Sequence, residues 1–192
     1  MKNPPSSVAL ARYRRPCTIV IAAICLCGLA FAADEPAPPA KPVTAVAVLQ
    51  PAAGSDVRGS VTFAQVKDGV RVIANITGLT PGPHGFHVHE KSDLSAPDLS
   101  SAGGHFNPTN APHAGRDAAD RHEGDMGNIV ADEKGVAHLD YVDSQLSLAG
   151  ENSIIDRSVI VHGAPDDLKS QPAGASGPRV AGGVITEVPK KP

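Results

Sequence analysis

Histidine is the residue type whose number and spacing in this chain point most directly to chemistry. All eight histidines fall between residues 84 and 162 of the 192-residue sequence. They are His84, His87, His89, His105, His113, His122, His138 and His162. Because imidazole nitrogen binds copper and zinc well, clusters of these residues predict a metal site.

The segment Phe86-His87-Val88-His89 alternates apolar residues with histidines. On a β-strand, residues i and i+2 share a face, so this alternation places Phe86 and Val88 inward and both histidines on the outer face. Two parallel imidazoles form a good chelate for copper or zinc. Taken alone, the four residues favour a simpler interpretation, a strand with two surface histidines.

A second group, His105, His113, His122 and Asp125, lies in a stretch rich in Gly, Pro and Asn. Three imidazoles and a carboxylate make a complete tetrahedral shell for zinc, which leaves no position for water and indicates a structural ion. The alternative is a polar surface loop. That loop, roughly 91–127, has few apolar residues to anchor it, and the free energy of metal binding would order it.

His162 ends a short apolar run, Val159-Ile160-Val161, which predicts a buried strand. The histidine is then either a strand-end residue with an ordinary hydrogen bond or a further ligand beside His87 and His89.

The elements that must position these side chains are predicted to be strands. The chain has 19 glycines, 18 prolines and 3% aromatic residues, which favours short strands joined by turns over a helical bundle. Strand-like segments follow at fairly regular spacing: 43–49, 56–66, 70–76, 85–90, 128–132, 137–142, 158–162 and 183–188. They predict an all-β fold, an eight-stranded antiparallel barrel or sandwich with two long functional loops near 91–127 and 163–181.

The N-terminus has the pattern of a secretory signal peptide. Residues 1–15 carry four basic side chains and no acid, an apolar run covers 18–31, and Ala30-Phe31-Ala32 offers small residues for cleavage before Ala33. An uncleaved anchor is the alternative, although the run is shorter than the ~20 apolar residues that a span needs. The predicted organisation is a signal peptide at 1–32, a proline-rich linker at 33–42, a domain at 43–188 and a tail at 189–192.

Residues 33–192 contain no cysteine and are acidic, and their charge argues against two classes of partner. Cys17, Cys25 and Cys27 all lie in the signal segment, so residues 33–192 contain no cysteine. Those residues carry thirteen basic and twenty acidic side chains, a formal net charge of −7. Because nucleic acids and anionic membranes attract basic surfaces, we expect no nucleic-acid partner and no membrane association of the mature form.

Six motifs resemble the copper-zinc superoxide dismutase family, and the short loop at 163–181, with Leu168-Lys-Ser-Gln-Pro172, resembles its bacterial exported branch. The six motifs are GPHGFHVHE (82–90), GGHFNP (103–108), RHEGDMGNIVAD (121–132), GENSII (150–155), VIVHGAPDDL (159–168) and GPRVAGGVI (177–185). The similarity runs in order from about residue 45 to about residue 187. It implies an eight-stranded Greek-key barrel that holds one copper and one zinc per subunit.

The resemblance also implies a role for each site residue. Copper is bound by His87, His89, His105 and His162, and zinc by His105, His113, His122 and Asp125. Asp166 stands where the family has a carboxylate that hydrogen-bonds a ligand of each metal. Arg179 stands where the family has an arginine beside copper, and it would dock the anionic substrate. The implied activity is dismutation of superoxide to oxygen and hydrogen peroxide by a redox-cycling copper with a structural zinc, and His105 would deliver a proton.

One feature of the family is missing from this chain. The family usually has a disulfide that ties the loop before the bridging histidine to the strand after the arginine, and the matching positions are Leu99 and Gly182. We therefore expect Arg179 to be less constrained, catalysis to be slower, and the metal-free protein to lack the ~2–4 kcal/mol that such a bridge contributes.

Superoxide dismutation is the first hypothesis for function. The alternative is a non-catalytic exported copper-binding or copper-buffering protein on the same fold, and a third is a zinc-only structural domain. The resemblance implies the superoxide anion as partner and allows a homodimer. Together with the signal peptide it predicts a periplasmic location.

Overall fold

The computed structural model describes residues 43–189, and eight segments of this part of the chain form strands. The strands are β1 (Thr44–Pro51), β2 (Arg58–Val66), β3 (Gly69–Thr77), β4 (Gly82–His89), β5 (Asp125–Ala131), β6 (Ala137–Asp143), β7 (Ser158–His162) and β8 (Arg179–Glu187). The predicted signal peptide, the linker and residues 190–192 of the tail lie outside the described residues.

The eight strands close into one antiparallel barrel. Their order around it is β1-β2-β3-β6-β5-β4-β7-β8, and β8 pairs again with β1. The connections from β3 to β4 and from β6 to β7 each pass over two strands, which makes the topology a Greek key. The predicted all-β eight-stranded barrel is confirmed.

The inner faces of the strands form the barrel core. In β3 every second residue, Val70, Val72, Ala74 and Ile76, is fully buried, which is the period expected for a strand with one face inward. The turn before β3 requires glycine at position 69, because φ is +142° there and a Cβ would overlap the Asp143 carbonyl.

Three strands begin three or four residues earlier than the apolar pattern predicted. β4 starts at Gly82 instead of residue 85, β5 at Asp125 instead of residue 128, and β8 at Arg179 instead of residue 183. The extensions contain glycines and charged residues such as Asp125 and Arg179, which interrupt the hydrophobic pattern. In the barrel they continue the ladder, and Gly182 pairs with Ile160 of β7.

Two long connections cover one outer side of the barrel. Residues 90–124 join β4 to β5, and residues 163–178 join β7 to β8. Backbone hydrogen bonds fix both to β4, since Val88 N donates to Gly124 O and Gly85 N donates to Ala164 O. Within residues 43–189, no helix has the length and apolar content needed to cross a membrane.

Candidate metal centre

β4 places a pair of histidines on the outer face of the barrel. Phe86 and Val88 point into the barrel core, so His87 and His89 point the opposite way. Both histidines are nevertheless buried, because the two long connections fold over this face. They are therefore not the surface histidines of the simpler interpretation.

The first metal-ligand group contains four histidines from three parts of the fold. His87 and His89 come from β4, His162 ends β7, and His105 pairs its backbone with His89 in an isolated bridge. One ring nitrogen of each lies within 4.8 Å of one ring nitrogen of every other. The ring centroids of His87 and His105 are 4.0 Å apart.

The second group is formed by His105, His113, His122 and Asp125, and its ligand atoms also lie within 4.8 Å of one another. The Nδ1 atoms of His105, His113 and His122 are 2.7, 3.0 and 3.3 Å from Asp125 Oδ1. All four side chains are buried. His105 belongs to both groups, so its ring joins them.

Six buried ring nitrogens in these groups have no hydrogen-bond partner within residues 43–189. They are His87 Nδ1, His89 Nε2, His105 Nε2, His113 Nδ1, His122 Nδ1 and His162 Nε2. The Nδ1 atoms of His113 and His122 are close to Asp125 but lack hydrogen-bonding angles to it. Because a buried polar atom without a partner is costly, six that converge fit bound metal ions.

The opposite nitrogens of four of these rings are anchored by protein oxygens. His87 Nε2 and His113 Nε2 lie 2.8 and 2.9 Å from the two oxygens of Asp166, so one carboxylate joins a histidine from each group. His89 Nδ1 lies 2.9 Å from Gly103 O, and His162 Nδ1 lies 3.2 Å from Gly177 O. As ring N–H donors to these oxygens, the histidines turn their other nitrogens toward the ligand positions.

Gly174 packs closely against Asp166. Gly174 has φ +64°, and a Cβ there would overlap Asp166 Oδ1 and approach His113 Nε2 to 2.7 Å. The next residue, Ala175, also has a positive φ of 52°. The lack of a side chain at position 174 therefore lets this connection pack against the carboxylate and the His113 ring.

Burial keeps most of the first group neutral. Removal from water lowers the pKa of His87 to about 4 and that of His162 to about 3, and it lowers the pKa of His89 well below its usual value. A neutral imidazole has a free lone pair, so these rings are ready to bind a cation at neutral pH. His113 differs: burial lowers its pKa, but the nearby carboxylates of Asp125 and Asp166 outweigh burial and raise it to about 9.

Arg179 stands at the start of β8, directly across from His162. Its guanidinium is half-buried and donates to two carbonyls of the 90–124 connection, Leu99 O and, at 2.5 Å, Gly103 O. The arginine is therefore held at both ends of its fork beside the first group.

Sequence reasoning missed the buried arginine that holds the second group. Arg121 Nη1 donates to three backbone carbonyls, those of His122, Glu123 and Asp125, at 3.1, 3.2 and 2.9 Å. Its Nη2 donates to Asp143 Oδ1 at 2.7 Å. The available signal was the position of Arg121 directly before His122, a predicted ligand. Its burial beside Asp143 fits the rule that buried charged residues are usually paired.

Two side-chain amides were missed as well. Asn128 accepts from Asp166 N at 2.8 Å and donates to Asp166 O at 2.9 Å. Gln171 makes the same pair of bonds with His113, accepting from its N at 2.8 Å and donating to its O at 2.9 Å. Nothing in the sequence around Gln171 indicates this contact, because the two residues are far apart in the chain.

The remaining two histidines face other groups. His84 Nδ1 lies 2.8 Å from His162 O, and its Nε2 lies 2.8 Å from Thr80 O. His138 is exposed on β6, where its Nδ1 lies 2.8 Å from Asn75 Oδ1. Neither belongs to the two ligand groups.

Comparison with known proteins identifies the family. The family model described as copper/zinc superoxide dismutase matches residues 57–185. A copper-zinc extracellular superoxide dismutase of Brugia pahangi is 44% identical over 154 residues, which is 76% of each chain. Copper-zinc superoxide dismutase A of Xenopus laevis is 49% identical over 150 residues, which is 74% of this chain and 97% of that one. The chain therefore belongs to the copper/zinc superoxide dismutase family, oxidoreductases that dismutate superoxide with copper and zinc.

Proposed function

We propose that this chain dismutates superoxide through a copper ion held by four histidines beside a zinc ion held by three histidines and an aspartate. The copper ligands are His87, His89, His105 and His162, and the zinc ligands are His105, His113, His122 and Asp125. The observation that carries this assignment is the convergence of six buried ring nitrogens without hydrogen-bond partners among the described residues.

The chemistry of the two donor sets supports copper in the first group and zinc in the second. A bound copper supplies a one-electron redox couple, whereas zinc supplies only a fixed charge. Asp125 brings negative charge to the second group, whose four protein ligands complete a zinc shell. The first group contains neutral histidines, and the positive guanidinium of Arg179 lies near two of them, His89 and His162.

His105 is proposed as the residue that moves a proton. Its Nδ1 faces Asp125 Oδ1 at 2.7 Å, and its Nε2 lies buried among the first group without a hydrogen-bond partner in residues 43–189. Two superoxide ions and two protons yield one oxygen and one hydrogen peroxide. A proton taken up at Nε2 of His105 is placed to supply one of those two protons to the second superoxide.

Arg179 is proposed as the docking group for the anion. A guanidinium stays protonated, so it provides a permanent positive charge beside the first group even though residues 33–192 carry a net charge of −7. Local field, not net charge, governs the approach of a small anion. Asp166 then has a positioning role, because it orients one histidine of each group.

Export to the periplasm is part of the proposal. It is supported by the signal-peptide pattern of residues 1–32 and by the name of the Brugia pahangi relative, an extracellular enzyme. Expression of the whole chain in a Gram-negative host, followed by fractionation and N-terminal sequencing, should find a periplasmic protein that starts at Ala33. Light scattering on the same material determines whether it forms the homodimer that the family resemblance allows.

Metal analysis and a superoxide assay on purified residues 33–192 test the proposed function. We expect one copper and one zinc per chain and dismutation far faster than by the same concentration of free copper. Dismutation no faster than free copper would support the non-catalytic copper-binding alternative. Zinc without copper would support the structural domain.

A further inference from the structure

A second apolar cluster lies outside the barrel core, next to Arg179. It consists of Ala52, Leu99, Ala102 and Ile160, with Leu94 packed against them. Val159 and Val161 of β7 belong to the barrel core, so Ile160 between them faces the opposite side, toward the 90–124 connection. The cluster therefore sits between that connection and the outer surface of β7 and β8.

The cluster packs directly on the backbone of β8 at Gly182. A Cβ at that position would lie 3.0 Å from Leu99 Cδ1 and 2.9 Å from Ile160 Cδ1. Leu94 Cδ2 would be 3.5 Å away. Three apolar side chains thus occupy the space above a residue that has none, three positions after Arg179.

Leu99 also contacts β8 through its backbone. Its carbonyl accepts a hydrogen bond from Arg179 Nη1, and its φ of 60° and ψ of 18° place it in the left-handed region. An L-residue with a side chain rarely adopts this conformation unless its surroundings hold it there. The side chain of Leu99 is only 6% exposed and packs against Gly182 and the apolar cluster.

We propose that Leu99 is a positioning residue for Arg179. Its side chain, packed on Gly182 with Leu94 and Ile160, fixes the carbonyl that orients the guanidinium. At the two positions where the family resemblance suggests a disulfide, packing of one side chain on a glycine ties the connection to β8. The inference rests on the proposed docking role of Arg179 for its effect on catalysis, but the contact itself can be tested without activity.

Chemical modification of Arg179 tests the contact directly. Phenylglyoxal reacts with accessible arginines, and mass spectrometry gives the rate at each one. Leu99→Ala should speed modification of Arg179 several-fold, because the carbonyl that accepts from Nη1 loses its anchor. Leu79→Ala is the matched control, since Leu79 is also 6% exposed but belongs to the barrel core. Equal Arg179 rates in the parent and in Leu99→Ala would overturn the proposal.

A double-mutant cycle shows whether Leu99 acts through Arg179. On metal-loaded residues 33–192, Leu99→Ala should lower kcat/KM several-fold, within the ~100-fold that a displacement of about 1 Å can cause. In an Arg179→Ala background the same change should have no further effect, and Leu99→Met should restore most of the rate. An equal loss in both backgrounds would show a merely structural role and overturn the proposal.

Two further measurements keep the outcome decisive. If Leu99→Ala does not fold by circular dichroism, Leu94→Ala carries the same prediction, because it removes a half-buried member of the cluster whose backbone does not contact Arg179. If Arg179→Ala leaves the rate unchanged, the docking role fails. Faster modification of Arg179 in Leu99→Ala would then still support the positioning contact.

Discussion

Arg179 combines a fixed position with a permanent charge. Both ends of its guanidinium are hydrogen-bonded to carbonyls, and the residue pairs across the sheet with His162. A positive charge held this way can attract an anion and orient it without further rearrangement. These contacts constrain Arg179 in the absence of the disulfide, and they oppose the loosening that its absence predicts.

Arg179→Ala should slow dismutation about 10-fold or more at low ionic strength and leave copper and zinc contents unchanged. The residue contributes charge and no ligand atom, so the loss should shrink as salt screens the field. Rates measured by pulse radiolysis between 10 and ~200 mM salt check this. Arg71→Ala is the control, because Arg71 is an exposed arginine paired with Asp140 on β6. A salt dependence identical to that of the parent would contradict the docking role.

Asp166 tests the link between the two ligand groups. Asp166→Asn keeps the shape but offers an amide N–H₂ to one of two histidine N–H donors, so one ring loses its acceptor. Metal affinity, measured by competition with a chelator, should fall about 10–100-fold. The exposed neighbour Asp167 contacts residues 169 and 170 instead, so Asp167→Asn should leave affinity unchanged. Equal affinities in the two variants would refute the positioning role of Asp166.

At the scale of elements, backbone pairing of the 90–124 connection with β4 brings the second ligand group to the first. Phe106 N donates to Val88 O, Val88 N donates to Gly124 O, and Gly124 N donates to Phe106 O, each at 2.9 Å. These bonds place His105 beside His89, and Asp125 opposite His87. The connection thus extends the backbone hydrogen bonding of β4.

Gly124→Ala should disrupt these backbone hydrogen bonds between the 90–124 connection and β4. A Cβ at position 124 would overlap the Val88 carbonyl, and the overlap is with backbone that cannot move aside. We expect a loss of about 1–3 kcal/mol in the free energy of unfolding and weaker zinc binding. Gly104→Ala is the control in the same connection, because nothing lies within 4 Å of its added Cβ. Denaturant unfolding and zinc titration of both variants decide the matter; a neutral Gly124→Ala would contradict this role of the pairing.

The strands were predictable from sequence because apolar alternation survives in them. The extra residues of β5 and β8 were not, because Asp125, Arg179 and Gly182 serve the site or its packing and break the pattern. The ligand sets followed from the resemblance and from histidine spacing. The contacts of Arg121 and Gln171 could not be predicted, since they depend on how two distant connections meet in three dimensions.

For the molecule as a whole, burial of the neutral histidines couples stability to pH. The pKa of an unfolded histidine is about 6.5, whereas burial lowers the pKa of His87 to about 4 and that of His162 to about 3. Between these values the unfolded state binds more protons, so stability falls as pH drops below 6.5. The pKa of His113 is raised instead, so its contribution is constant below pH 6.5 and is lost as pH rises toward 9. Burial raises the pKa of Glu123 to about 7, which favours the fold as pH falls, but His87, His89 and His162 together outweigh this one group.

Metal-free residues 33–192 should therefore unfold at a lower denaturant concentration at pH 5 than at pH 7. Each net proton accounts for about 1.4 kcal/mol per pH unit in the affected range. His162→Gln should flatten the dependence, while His138→Gln, on the exposed face of β6, should leave it as it is. The same slope in His162→Gln as in the parent would show that burial of this ring is not the cause.

Packing of Leu99 on Gly182 also bears on how the protein matures. Residues 33–192 contain no thiol, so assembly of the loops over the barrel involves no sulfur oxidation. Assembly of these loops is then independent of the thiol-oxidising enzymes of the compartment. Residues 33–192 produced in a reducing cytoplasm and loaded with copper and zinc should match the exported protein in specific activity and melting temperature. A protein with this property can be made on either side of an export step and become active wherever it meets its metals.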